Sequence, residues 1–135
     1  MGCGRVGARL ALMLTRAGHE VTIMDIRSSA FARLGGEFRG TTILGNAIDQ
    51  EVLKRAGIER ADAFVAATQG DNRNIMASQI AKHVFGVKRV VTRIYDPLRS
   101  DTFSALGLQA ISPTIIGANA FYEQLTGETA ASLTA

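Results

Sequence analysis

Apolar, β-branched runs of roughly four to six residues alternate along the chain with helical patterns of about ten to fifteen, the rhythm of repeated βαβ units around a parallel sheet. Val6, Leu10 and Leu14 recur at helical spacing and predict a helix over 5–17, closed by Gly18. The stretch 21–26 is almost continuously apolar up to Asp25, so this strand is expected to be buried on both faces. A short helix over 28–34 and a strand over 42–44 follow, the latter ending at Gly45-Asn46-Ala47. Asp49 then caps a helix reaching Ala56, which Gly57 stops. A strand over 63–67 leads through Thr68-Gln69-Gly70-Asp71 into a long helix with Met76, Ile80 and Val84 as one stripe, ended by Gly86. The strand 90–94 comes next, and Asp96-Pro97 opens another helix, because proline is preorganised for a first turn. Residues 110–112 make a weak last strand, and Pro113 leads into a terminal helix, about 115–125, with Ala118, Phe121 and Leu125 on one side. The expected architecture is α/β: a Rossmann-like, doubly wound parallel sheet in three layers, one domain over 1–125, with 126–135 as a flexible C-terminal tail.

One element is missing from this pattern. Gly2-Cys3-Gly4-Arg5-Val6-Gly7 reads G-x-G-x-x-G, a loop that belongs immediately after a strand, yet only Met1 precedes it. In the common strand order that strand is central, flanked by those at 21–26 and 63–67. Without it both neighbours would carry unpaired edges in mid-sheet. The reading is therefore that Met1 is an internal methionine and that upstream residues supply the first strand.

Composition narrows the classes of function. With 47% hydrophobic and 20% charged residues in 135, the chain has enough apolar matter for one core. The net charge of +3 comes from twelve Arg and three Lys spread along the chain, with no Trp and two Tyr. A nucleic-acid binder would gather the charge and interleave aromatics, so nucleic acid is not an expected partner. Guanidinium forks do suit polyphosphates. A single cysteine allows no internal disulfide, and no run of about 18 apolar residues occurs, so a cytoplasmic location without direct membrane insertion is expected.

The glycines of the first loop have separate tasks: a tight turn, close backbone approach to a pyrophosphate, and close helix packing. The helix that follows offers free N–H groups and a positive partial charge. Taken alone the loop is a weak signal, but Asp25 lies 18 residues after Gly7 at the end of the next strand, where a carboxylate takes both hydroxyls of an adenosine ribose. Asp25 would repel a 2′-phosphate, which favours NAD over NADP. Arg27 blurs that choice: it binds such a phosphate, covers the adenine face, or is simply solvated. Asn46 and Thr68 fall at strand ends along the same sheet edge, as ligand contacts or as ordinary turn residues. Asp71 and Asn74 lie in the first turn of a helix, where capping explains them without a ligand. Arg93, near the end of a buried strand, needs an anionic partner, either Asp96 or a ligand phosphate.

No catalytic set emerges. Tyr95 is followed four residues on by Arg99 and Tyr122 by Thr126, so there is no Tyr-x-x-x-Lys pair. His19 and His83 read as solvated, Cys3 as a small buried spacer, and no cluster has metal-ligand spacing. The chain reads as a ligand sensor, with an NAD-dependent oxidoreductase fragment as the alternative and an empty scaffold as a third reading.

The ordered set of motifs resembles the N-terminal nucleotide-binding domain of TrkA-type potassium-uptake regulators, also called KTN or RCK domains. It comprises Gly2 to Gly7, Val21-Thr22-Ile23-Met24-Asp25, Gly45-Asn46-Ala47, Ala61-Asp62-Ala63 leading to Ala66-Ala67-Thr68, Gly70-Asp71-Asn72-Arg73-Asn74, and Val91-Thr92-Arg93-Ile94-Tyr95-Asp96-Pro97. The resemblance implies a cytoplasmic regulatory subunit that binds NAD(H) or ATP/ADP, forms a homodimer or higher ring, and docks on a membrane potassium transporter subunit. It makes Arg5 and Arg93 phosphate contacts, Asp25 the ribose anchor, and Asn46 and Thr68 contacts around the adenine and the inner ligand edge. The cofactor-binding set is then Gly2, Gly4, Arg5, Val6, Gly7, Asp25, Ile26, Arg27, Asn46, Ala47, Ala67, Thr68, Asn74 and Arg93. The sequence departs from the family pattern in its absent first strand, in Gly45-Asn46-Ala47 where Gly-Asp-Ala is common, and in Thr114 after Pro113 where some members carry a cation-associated Glu. A C-terminal regulatory domain, usual in the family, is also absent from the sequence. No metal is assigned.

Overall fold

The computed structural model describes residues 1–133. Helix α1 (Arg5–Arg16) is followed by β1 (Thr22–Asp25), a 3-10 segment (Ser28–Glu37), β2 (Thr41–Leu44), α2 (Gln50–Arg55), β3 (Ala63–Ala66) and α3 (Asp71–Gln79). Then come β4 (Arg89–Arg93), α4 (Pro97–Ala105), β5 (Gln109–Ile111) and α5 (Pro113–Thr126). All strand pairs are parallel: β1 with β2, and β3 with β4 and β4 with β5. Adjacent residues of β1 show the layering, because Ile23 enters one core with Ala8, Ala11 and Leu34, while Met24 enters the other with Leu53, Phe64 and Ala77. That alternation across the pleat puts helices on both faces of the sheet.

The two hydrogen-bonded sheets meet at the start of the chain. Gly2 N–H donates to the Met24 carbonyl at 2.8 Å, Ala67 N–H donates to the Met1 carbonyl at 2.9 Å, and the Met1 ammonium donates to the Val65 carbonyl at 2.8 Å. Met1 and Gly2 thus lie between the carboxyl ends of β1 and β3, in the place the expected first strand would end. Among the described residues no strand fills the rest of that slot.

Several expected elements change character. Residues 28–37 form a 3-10 helix kinked at Gly35, where φ is 63°, instead of a regular short helix. Thr22 is exposed and only Ile23 and Met24 of β1 are buried, so the strand is not covered along its whole length. Met76 and Val84 are exposed, and α3 buries Asn74, Ala77 and Ser78 instead. Small side chains there allow α3 to approach β3 and β4 closely, and the helix continues as a π-turn over Ile80–Val84. In α5, Phe121 and Leu125 are exposed and no residue is buried. The segment after α5 holds a 3-10 turn, Ala130–Leu133, with Ala130 buried. Residues 134 and 135 of the expected tail lie outside the described residues.

Candidate functional site

The chain reverses sharply at Gly2, whose φ of +94° is a left-handed value that suits glycine, and a Cβ there would stand 2.9 Å from the Thr68 N. A Cβ on Gly7 would stand 1.8 Å from the Gly2 carbonyl oxygen, so this glycine is what lets α1 pack down onto the loop. Gly4 is different: a Cβ there meets nothing within 4 Å. Gly4 is the N-cap of α1, with extended backbone and no side-chain cap, and its carbonyl accepts the Ala8 N–H at 2.9 Å. The N–H groups of Arg5, Val6 and Gly7 therefore begin the helix with no intrahelical partner, around an opening left by the second glycine.

Asp25 closes one side of this loop. Its Oδ2 accepts the Cys3 N–H at 2.8 Å and its Oδ1 accepts the Arg27 N–H at 2.9 Å, which fixes the carboxylate plane. A carboxylate has further lone pairs beyond these two bonds, and Asp25 is half-buried, so it can still accept from a diol. Ile26 and Arg27 flank it on the exposed side. Cys3 is fully buried, and burial followed by the Asp25 charge pushes its thiol above the usual cysteine range, which suits a spacer and not a nucleophile.

On the other side stands Thr68. Asn74 is fully buried and uses its whole amide there: Oδ1 accepts the Thr68 N–H at 3.0 Å and the Thr68 hydroxyl at 2.6 Å, while Nδ2 donates to the carbonyls of Thr68 and Arg93, both at 2.9 Å. Asn74 thus binds the ends of β3 and β4 together, and its amide has no capacity left over. Asp71 does not cap its own helix. Its carboxylate accepts the N–H groups of Tyr95 at 2.7 Å and Asp96 at 3.2 Å, clamping the turn after β4. Sequence reasoning missed this role, because the partners lie 24 and 25 residues away.

Arg93 reaches toward Thr68, with Nη1 at 3.5 Å from the Thr68 carbonyl and the guanidinium 5.6 Å from the centre of the Tyr95 ring. Its Nε is buried and has no hydrogen-bond partner. Asp96 is not that partner, since it caps α4 by accepting the Leu98 N–H at 3.0 Å. An unpartnered buried donor on a permanent cation is costly and is relieved by an anion. Asn46 is exposed and spends its Oδ1 on the Ile48 N–H at 3.2 Å, while Ala47 and Ala67 are buried. Arg5 and Val6 are exposed on the first turn of α1.

The model of the TrkA-N domain matches residues 1–113. The chain belongs to the TrkA-N domain family. It is 46% identical over 112 residues to a Trk system potassium uptake protein TrkA of Streptomyces coelicolor, covering 83% of this chain and 50% of that protein. It is 35% identical over 131 residues to a Trk system potassium uptake protein TrkA homolog of Pyrococcus abyssi, covering 93% of this chain and 58% of that one. The domain therefore spans about half the length of these curated relatives. Among solved structures, it resembles GsuK bound to ADP at a TM-score of 0.78 and 26% identity, covering 93% of this chain and 32% of that one. The TrkA-N domain of the inner membrane protein ybaL from Escherichia coli matches at a TM-score of 0.80 and 18% identity, covering 92% of each chain, which shows the shared fold.

Proposed function

We propose that this domain is an adenine-nucleotide sensor, the regulatory part of a potassium transport system, binding NAD(H) or ATP/ADP. The observation that carries the reading is the pairing of an open cradle at Gly4 with the buried, unpartnered Nε of Arg93 across the Thr68 turn. In this reading the diphosphate rests on the N–H groups of Arg5 to Gly7, the ribose hydroxyls donate to Asp25, and Arg93 supplies its charge to the phosphates. Val6, Ile26 and Ala47 line the approach, Arg27 covers the base, and Asn74 acts by positioning Thr68 and Arg93. The names of the matched relatives, two Trk potassium uptake proteins, and of a neighbour bound to ADP support both the ligand class and the setting.

The mechanism is a shift between conformations that differ in affinity for the ligand; tight binding alone would shift nothing. The partner is a membrane potassium transporter subunit, met at the cytoplasmic face by a homodimer or larger ring. No described helix is long and apolar enough to cross a membrane. The domain carries out no reaction in this reading. Calorimetric titration with NAD, NADH, ATP, ADP and adenosine tests it. Binding of the diphosphate-bearing ligands with a much weaker response to adenosine is the expected result. Absence of heat with all five, or substrate turnover that depends on Asp25, overturns it.

A further inference from the structure

Arg93 is held in place without being neutralised. Its charge has no acidic counterpart among the described residues, where the ion pairs join Arg16 to Glu37, Lys54 to Glu51 and Arg99 to Asp71. Both carboxylates near the turn after β4 are committed elsewhere: Asp71 accepts the N–H groups of Tyr95 and Asp96, and Asp96 accepts that of Leu98. The guanidinium instead lies over the Tyr95 ring, 5.6 Å from its centre. At that range the negative face of an aromatic ring attracts a cation. Arg93 and Tyr95 are two residues apart where the chain leaves β4, and side chains at that spacing stand on one side of an extended strand. So placed, Nη1 reaches the Thr68 carbonyl at 3.5 Å, and the buried Nε keeps an N–H without a partner.

The backbone of Tyr95 is fixed independently of its side chain. Its N–H donates to Asp71 Oδ1 at 2.7 Å, and its carbonyl accepts the hydroxyls of Ser112 at 3.2 Å and Thr114 at 2.8 Å. Between it and Arg93, Ile94 is fully buried and its N–H donates to the Ile111 carbonyl at 3.0 Å. The phenol takes no hydrogen bond among the described residues, and Tyr95 is 57% exposed, so neither core packing nor the turn accounts for the ring. An Asp or Glu at this position would also orient Arg93, but it would cancel the charge and repel an incoming phosphate. An aromatic face orients a cation and leaves its net charge intact.

We infer that Tyr95 is a positioning residue of the nucleotide site, its ring holding the Arg93 guanidinium across the Thr68 turn with the charge still available to a diphosphate. The inference rests on the proposed nucleotide reading, and it gives Tyr95 no contact with the nucleotide. The role belongs to the ring: Phe serves as well as Tyr, and an aliphatic side chain does not. Without the ring the guanidinium gains rotamer freedom, and ordering it again on phosphate binding weakens the affinity.

The test is calorimetric titration of ADP and of adenosine into the full chain, its Y95F, Y95L and R93M variants, and the R93M/Y95L double variant. A proton–nitrogen correlation spectrum of the arginine Nε–H groups accompanies it, in which the signal lost in R93M belongs to Arg93. Before any ligand is added, Y95L should move that signal by removing the ring current, and Y95F should leave it near its wild-type position. Y95L should bind ADP about two- to fivefold more weakly, the reach of an exposed cation–π contact, with adenosine unchanged. Y95F should bind both ligands as the wild type does. On top of R93M, Y95L should cost nothing more, because the ring then has no cation to hold. An Arg93 signal unmoved by Y95L, wild-type ADP affinity in Y95L, an equal loss for adenosine, or a loss in Y95F as large as in Y95L overturns the inference. So does an undiminished Y95L effect in the R93M background. Each of these leaves the nucleotide reading standing, whereas a wild type that binds neither ligand defeats that reading and this inference together.

Discussion

Replacing Gly4 with Ala separates the ligand from the fold. A Cβ at Gly4 meets no protein atom within 4 Å, and the backbone there, at φ −81° and ψ −165°, is open to any L-residue. Two small effects on stability oppose each other. Alanine restricts the unfolded chain, which stabilises by about 0.4–1 kcal/mol, but it is a poorer N-cap than glycine, which costs a similar amount. The net change in urea-unfolding free energy should therefore stay within about 1 kcal/mol. The affinity should behave differently, because the methyl group occupies the opening through which a diphosphate reaches the first-turn N–H groups. Lifting the phosphates off even two such charge-assisted bonds, each worth about 1.5–3 kcal/mol, weakens binding by at least about a hundredfold. Titration of ADP or NADH into Gly4→Ala, beside its urea curve, reads both quantities. Unchanged affinity in a folded Gly4→Ala would refute the placement of the phosphates. Gly7→Ala is the contrasting control: its Cβ would collide with the Gly2 carbonyl, so that variant should lose stability as well as affinity.

Two further outcomes follow from the same geometry. Arg93→Met should lower affinity for ADP by roughly tenfold or more while leaving adenosine nearly unaffected, and equal losses for both ligands would remove the phosphate role. Asp25→Ala should weaken nucleotide binding and also cost about 1–3 kcal/mol of stability, because the Cys3 N–H loses its acceptor; calorimetry and urea unfolding separate the two.

Much of this protein was legible along the chain because the signals are local. The strand–helix alternation placed every strand to within a residue or so, and the spacing from the glycine loop to Asp25 brought together two groups that the fold joins through the Cys3 N–H. What the sequence could not yield are relations set by packing between distant segments. That Asn74 is wholly consumed in joining β3 to β4, that Asp71 clamps the turn at Tyr95, and that Asp96 leaves the Arg93 Nε without a partner all depend on which atoms the parallel sheet sets side by side. Helical periodicity likewise marked apolar stripes at Met76 and Phe121 but could not tell a core face from an uncovered one, because a repeat of 3.6 residues shows that a helix has a side and not what stands opposite it. Local spacing determined the elements and the candidate loop; only the tertiary structure decided which polar groups are already satisfied and which remain open to a ligand or to another chain.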